Sequence, residues 1–206
     1  MFNLFRSKKK AEKDSLKKQE KRTIFLVRKI KNGDTDAFSE LYDIYINPIY
    51  KYVFLRISDP EEVQDLCQKI FLKVWNGRES FKEDQKGFFF TSWVFRITRN
   101  VIIDHYRTKK TNKISLDVKE NFAKVSLVHK VDNEGIKNLE RKSLNKTLIS
   151  AVRKLPESER QIIVLKFIEG FNNKEISEIS EKSQGAIRVL QFRALKKLSQ
   201  LLSNKL

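Results

Sequence analysis

The side chains best equipped for recognition chemistry lie near the C-terminal end. Gln184, Arg188, Gln191 and Arg193 fall within ten residues, and no Asp or Glu occurs from Gln184 onward. In a helix turning about 100° per residue, Arg188 and Gln191 share a face. Ile187, Leu190, Ala194, Leu198 and Leu201 form a separate apolar stripe. An Arg fork pairs with the O6 and N7 of guanine, and a Gln amide with the N6 and N7 of adenine. A polar, basic helix face backed by apolar residues therefore suits base edges in a major groove. An ordinary solvated basic face has the same pattern, so the surrounding elements must decide.

Those elements have clear punctuation. Asn172 followed by Glu175 makes a capping box that opens a short helix over Asn173–Glu181, with Ile176 and Ile179 facing inward. A break at Lys182-Ser183 separates it from the basic helix. Two helices joined by so short a turn form a helix-turn-helix, whose second helix enters the groove with its N-terminal half.

A second basic strip lies in the middle of the chain. Arg96, Arg99, Arg107 and Lys110 fall within an arc of about 80°, opposite Phe90, Val94, Ile97 and Val101. One-sided positive charge on an apolar-backed helix suits the tracking of phosphates. Phe88, Phe89, Phe90 and Trp93 read as core, because they begin an amphipathic helix. Upstream, Val63, Leu66, Ile70 and Val74 recur at three and four, which leaves Asp65 and Gln68 on the polar side of their helix.

Together these features predict an all-α chain. The prolines in Asn47-Pro48, Asp59-Pro60 and Leu155-Pro156 each stand at a position suited to a helix start. Helices are expected at about 22–31, 35–46, 48–57, 60–76 and 90–107, then about 139–154, 156–169, 173–181 and 185–203. The polar, weakly periodic stretch 111–138 reads as a flexible linker. The expected organisation is a basic, disordered tail over 1–21, a helical domain over 22–110, the linker, and a helix-turn-helix domain over 139–206.

Composition narrows the functions further. A formal charge of +17 over 206 residues favours a polyanionic partner, nucleic acid before an anionic membrane. One cysteine and two histidines cannot build a disulfide framework or a zinc finger. No phosphate-binding Gly-rich Lys loop and no nucleophile with a base partner is present, so neither an enzyme nor a cofactor is expected. The start of the chain carries no apolar run, and no stretch reaches the about 18 apolar residues of a membrane span. Neither export nor membrane insertion is expected, and the cytoplasm is the expected location.

Four longer stretches carry a resemblance. Leu155-Pro156-Glu157-Ser158-Glu159-Arg160-Gln161-Ile162-Ile163-Val164-Leu165-Lys166 resembles the opening of the fourth region of bacterial sigma factors. Gln184 to Leu195 is similar to the recognition helix of that region in the extracytoplasmic-function group. Asp65-Leu66-Cys67-Gln68-Lys69-Ile70-Phe71-Leu72-Lys73-Val74-Trp75 resembles the helix by which the second region docks on polymerase, and Phe90 to Arg107 its promoter-contacting helix.

The resemblance implies a non-enzymatic factor that binds core RNA polymerase and directs it to promoter DNA, with an anti-sigma factor as a further partner. It implies polymerase contacts at Asp65, Leu66, Gln68, Lys69 and Leu72. DNA contacts are implied at Arg96, Arg99, Asn100, Arg107 and Lys110 for the −10 element, and at Ser183, Gln184, Arg188, Gln191 and Arg193 for the −35 element. The loop over Gly77–Phe89 corresponds to one that receives a flipped base. Three residues depart from the pattern: Lys69 replaces an acid, Glu181 stands where the turn usually carries Gly, and Phe192 where a polar residue is common. A conventional helix-turn-helix repressor or activator, with the first domain as sensor or dimerisation unit, is the alternative from a different class.

Overall fold

The computed structural model describes residues 21–57, 59–82, 90–112 and 143–203, and all regular structure among them is helical. The expected tail, most of the linker and residues 83–89 of the loop lie outside the described residues. Helix α1 spans residues 21–31 and ends at Gly33, whose φ of +84° favours a residue without Cβ. Asp34 then caps α2 (Thr35–Phe54), its carboxylate accepting the N–H of Ala37 at 2.9 Å. That bond holds the Asp34 carboxyl below its usual value.

The sequence predicts a break at Pro48, but α2 runs through it. A proline inside a helix costs about 3 kcal/mol. Tyr45, Ile46, Ile49, Tyr50, Tyr52 and Val53 are all buried from the two sides of Pro48, and each such side chain contributes on the order of 1.5–3 kcal/mol. Continuity of that face wins. Helix α3 (Pro60–Gly77) starts as expected: Asp59 accepts from the N–H groups of Glu61 and Glu62 at 2.9 and 3.3 Å. Helix α4 (Phe90–Asn112) buries Phe90, Trp93, Val94, Phe95, Val101 and Ile102 against α2 and α3. The assignment of Phe90 and Trp93 to the core agrees with their burial.

The second half comprises α5 (Ser143–Arg153), α6 (Glu157–Ile163), α7 (Asn173–Ser180) and α8 (Gln184–Ser203). The single helix expected over 156–169 instead passes from α6 into a π turn, Val164–Ile168. One extra residue in that turn shifts the helical register. Val164 and Leu165 stay buried, while Phe167 and Ile168 face outward. Gly170, at φ +79°, reverses the chain, and the N–H of Phe171 returns to the Leu165 carbonyl at 3.0 Å.

This reversal aims Phe171 at the first half, where its ring meets Phe95 edge-on at 4.9 Å. Helix α7 packs on α4, and the buried side chains of the two halves join in one cluster. Beside it, the buried guanidinium of Arg56, just past α2, pairs with Glu157 of α6. Arg153 of α5 donates to the Phe54 carbonyl at 2.9 Å, and Arg160 of α6 to the Arg56 carbonyl at 3.2 Å. Among the described residues no helix is long and apolar enough to cross a membrane.

Glu169, at the end of the π turn, gives this arrangement a proton linkage. Burial pushes its carboxyl up to about 7, opposed only in part by Lys51 of α2. The folded chain thus holds a proton that the unfolded chain releases near the ordinary value of 4.5. Stability should fall as pH rises from about 4.5 to about 7 and level off above that. Glu169→Gln should remove this component and melt higher than wild type at pH 8. Melting both proteins across that range checks it; parallel curves would show that Glu169 does not hold the proton.

Candidate nucleic-acid interface

Helices α7 and α8 form the expected helix-turn-helix. The capping box closes reciprocally: Asn172 accepts from the N–H groups of Lys174 and Glu175 at 2.9 and 3.0 Å, and Glu175 accepts from that of Asn172 at 2.7 Å. The turn passes through Glu181, which adopts a left-handed conformation with φ 56° and ψ 35°. The Ser177 hydroxyl donates to the Lys182 carbonyl at 2.6 Å and closes the turn. Ser183 caps α8 by accepting the N–H of Ala186 at 3.2 Å, so its oxygen already serves the helix.

On α8, Ile187, Ala194 and Leu198 are buried, with Leu190 and Leu201 partly so. Lys197 braces the helix by pairing with the buried Glu159 of α6 at 2.9 Å. Gln184, Arg188 and Arg193 are exposed. Phe192, at 70 % exposure, lies between the two arginines on the outer surface. Gln191 sits at the edge of that surface, where its Nε2 donates to Asn173 Oδ1 of α7 at 3.1 Å. The spacing of Gln191 predicts a face but does not reveal this partner.

The strip on α4 is less open than its spacing predicts. Asn100 and Arg107 are exposed and Arg96 is half-buried. Arg99 is only 14 % exposed, and its Nη1 lies 3.0 Å from Glu181 Oε2 and 3.0 Å from Asn100 Oδ1. An acid from the other half therefore sits on a strip that reads as free of acids along its own helix. Lys110 belongs to α4, but its side chain lies outside the described residues.

A third surface is on α3. Asp65, Gln68, Lys69 and Leu72 are exposed along one face, with Leu72 at 53 %. Leu66 is not part of it: at 3 % exposure it belongs with Val63 and Ile70 on the buried stripe, which corrects its expected partner contact. Cys67 is buried beside it, and burial pushes its thiol up to about 12. No His, Cys, Asp or Glu cluster able to hold a metal is found among the described residues.

Residues 41–111 match the family Sigma-70 region 2, and residues 146–198 match Sigma-70, region 4. The RNA polymerase sigma factor SigZ of Bacillus subtilis is 33% identical over 171 residues, covering 79% of this chain and 85% of that protein. The ECF RNA polymerase sigma factor BldN of Streptomyces coelicolor is 29% identical over 192 residues, covering 93% and 68%. Among solved structures, CnrH in complex with the cytosolic domain of CnrY superposes with a TM-score of 0.63 at 24% identity, covering 89% of this chain and 98% of that one. The sigma factor RpoE in complex with the anti-sigma factor NepR from Bartonella quintana gives 0.58 at 19%, covering 81% and 96%. These two likenesses show the shared fold.

The burial pattern of α8 separates support from contact. Ile187→Ala, at a fully buried site, should cost about 2–5 kcal/mol of folding stability through the cavity it leaves. Arg188→Ala should leave the melting temperature nearly unchanged and weaken DNA binding. Thermal melts with DNA titrations distinguish the two; a large drop in melting temperature for Arg188→Ala would make it a structural residue.

Proposed function

The chain belongs to the extracytoplasmic-function group of the sigma-70 family of RNA polymerase sigma factors, and we propose which of its surfaces meet the polymerase and which meet the promoter. It binds core polymerase, directs promoter recognition and transcription initiation, and is not an enzyme. Family matches in both halves, in the family's order, carry this conclusion.

For polymerase, the proposed contact is the α3 face of Asp65, Gln68, Lys69 and Leu72. Its support is the pairing of outward residues with an inward Leu66, which makes the face a rigid ledge rather than a loop. Lys69 brings positive charge to a position where the family pattern has an acid, so this ledge favours a partner surface of different charge.

For DNA, Gln184, Arg188 and Arg193 are the proposed contacts to the −35 element, Gln191 reading from the edge of that surface and Ser183 acting chiefly as cap. Arg96, Arg99, Asn100, Arg107 and Lys110 are the proposed contacts to the −10 element, mainly to phosphates. In domain terms, residues 22–110 serve polymerase and the −10 element, 111–138 link, and 139–206 serve the −35 element. RpoE of Bartonella quintana is solved with an anti-sigma factor, and we extend a partner of that kind to this chain. The proposed place of action is the cytoplasm, beside the polymerase.

Charge reversal tests the ledge. Asp65→Lys, at an exposed site, should keep its helicity and lose about tenfold or more in competition for core polymerase, or roughly 1.4 kcal/mol. Leu66→Ala should instead lower the melting temperature. A folded Asp65→Lys protein that competes as well as wild type would move the docking surface elsewhere.

A further inference from the structure

Glu181 combines two features that rarely meet in one residue. Its backbone is left-handed, which costs free energy in any residue with a Cβ. Its side chain crosses from the helix-turn-helix to Arg99 of α4, at 3.0 Å. A non-glycine residue held in such a conformation points to a use for its side chain.

The surroundings indicate that use. Helix α7 packs on α4, Phe171 abuts Phe95, and Arg99 is left 14 % exposed. A guanidinium binds carboxylate and phosphate oxygens through the same fork of N–H groups. While Glu181 occupies Arg99, a DNA phosphate cannot take the same donor. We infer that Glu181 is a built-in phosphate mimic: in the free chain it holds the helix-turn-helix over the promoter-facing helix, and DNA must displace it. The inference rests on the reading of Arg99 as a DNA contact.

The strength of the contact suits displacement. Glu181 is 60 % exposed on its side chain, so the pair is partly solvated and sensitive to salt. Losing a pair of this kind changes an equilibrium about 1.5- to 5-fold. That is enough to bias a closed state and too little to lock one against a polyanion.

The test uses the full chain, with dyes on cysteines introduced at the exposed positions Asn76 and Gln200, while the buried Cys67 stays unlabelled. Single-molecule energy transfer at low salt reports closure, and titration with a short DNA duplex reports access to Arg99. Glu181→Gln keeps the backbone and loses the charge, so its open-to-closed ratio should rise about 1.5- to 5-fold and its duplex affinity should rise alongside. Glu181→Lys should open the chain further, and Arg99→Glu with Glu181→Arg should restore closure. Glu181→Gly, which also relieves the backbone, should melt higher than Glu181→Gln and open equally. Unchanged energy transfer in both Glu181→Gln and Glu181→Lys overturns the contact. Opening without any gain in duplex affinity leaves the contact standing and overturns the mimicry, because Arg99 is then not a DNA donor.

Discussion

The C-terminal end of α2 sets the arrangement of everything after it. A helix leaves its last carbonyls without partners, at the negative end of its dipole. Here the chain's own N–H groups meet those of Lys51 and Val53, Arg153 donates to that of Phe54, and just past the helix Arg160 and Tyr106 donate to the Arg56 carbonyl, at 2.9, 3.2 and 2.5 Å. The Arg56 guanidinium lies over the Tyr52 ring and pairs with Glu157. Burial opposes its charge, the Glu157 carboxylate beside it favours that charge, and its Nη1 donates to the Tyr52 hydroxyl. One helix end thereby gathers side chains from α4, α5 and α6. A buried ion pair adds little net stability once desolvation is counted, while removing one partner is expensive. Its contribution is direction: it fixes where the second half docks.

That docking treats the two working faces of the first half differently. The α3 ledge of Asp65, Gln68, Lys69 and Leu72 points away from the seam and stays exposed. Helix α4 lies under α7, with Arg99 covered. A surface proposed for polymerase is thus available in the closed chain, whereas part of the surface proposed for promoter is not. Such an order favours meeting polymerase before reading DNA.

How much of this was legible beforehand depended on distance along the chain. The Asn172 and Glu175 capping box and the Asp59-Pro60 start are signals within four residues, and both stand as read. Pro48 misled because its cost is local, whereas the burial of Tyr45 to Val53 that overrides it comes from other helices. The π turn at Val164–Ile168 precedes a contact of the same long range, Phe171 on Phe95, which no local spacing rule reports. The resemblance implies a polymerase contact at Leu66 because a matched stretch carries every residue with it. The periodicity of Val63, Leu66 and Ile70 already contained the correction. Glu181 was visible as a departure from glycine, but its partner is 82 residues away in sequence, and no spacing rule reaches that far.

Cys67 has a consequence for how the cell's state reaches this protein. Its thiol is buried, and burial pushes it up to about 12, so at neutral pH it stays in the less reactive thiol form. It is the chain's only cysteine. Oxidants and electrophiles that act on thiols therefore find almost nothing to modify in the folded protein. The folded chain thus offers no accessible thiol at which an oxidative signal could be written directly.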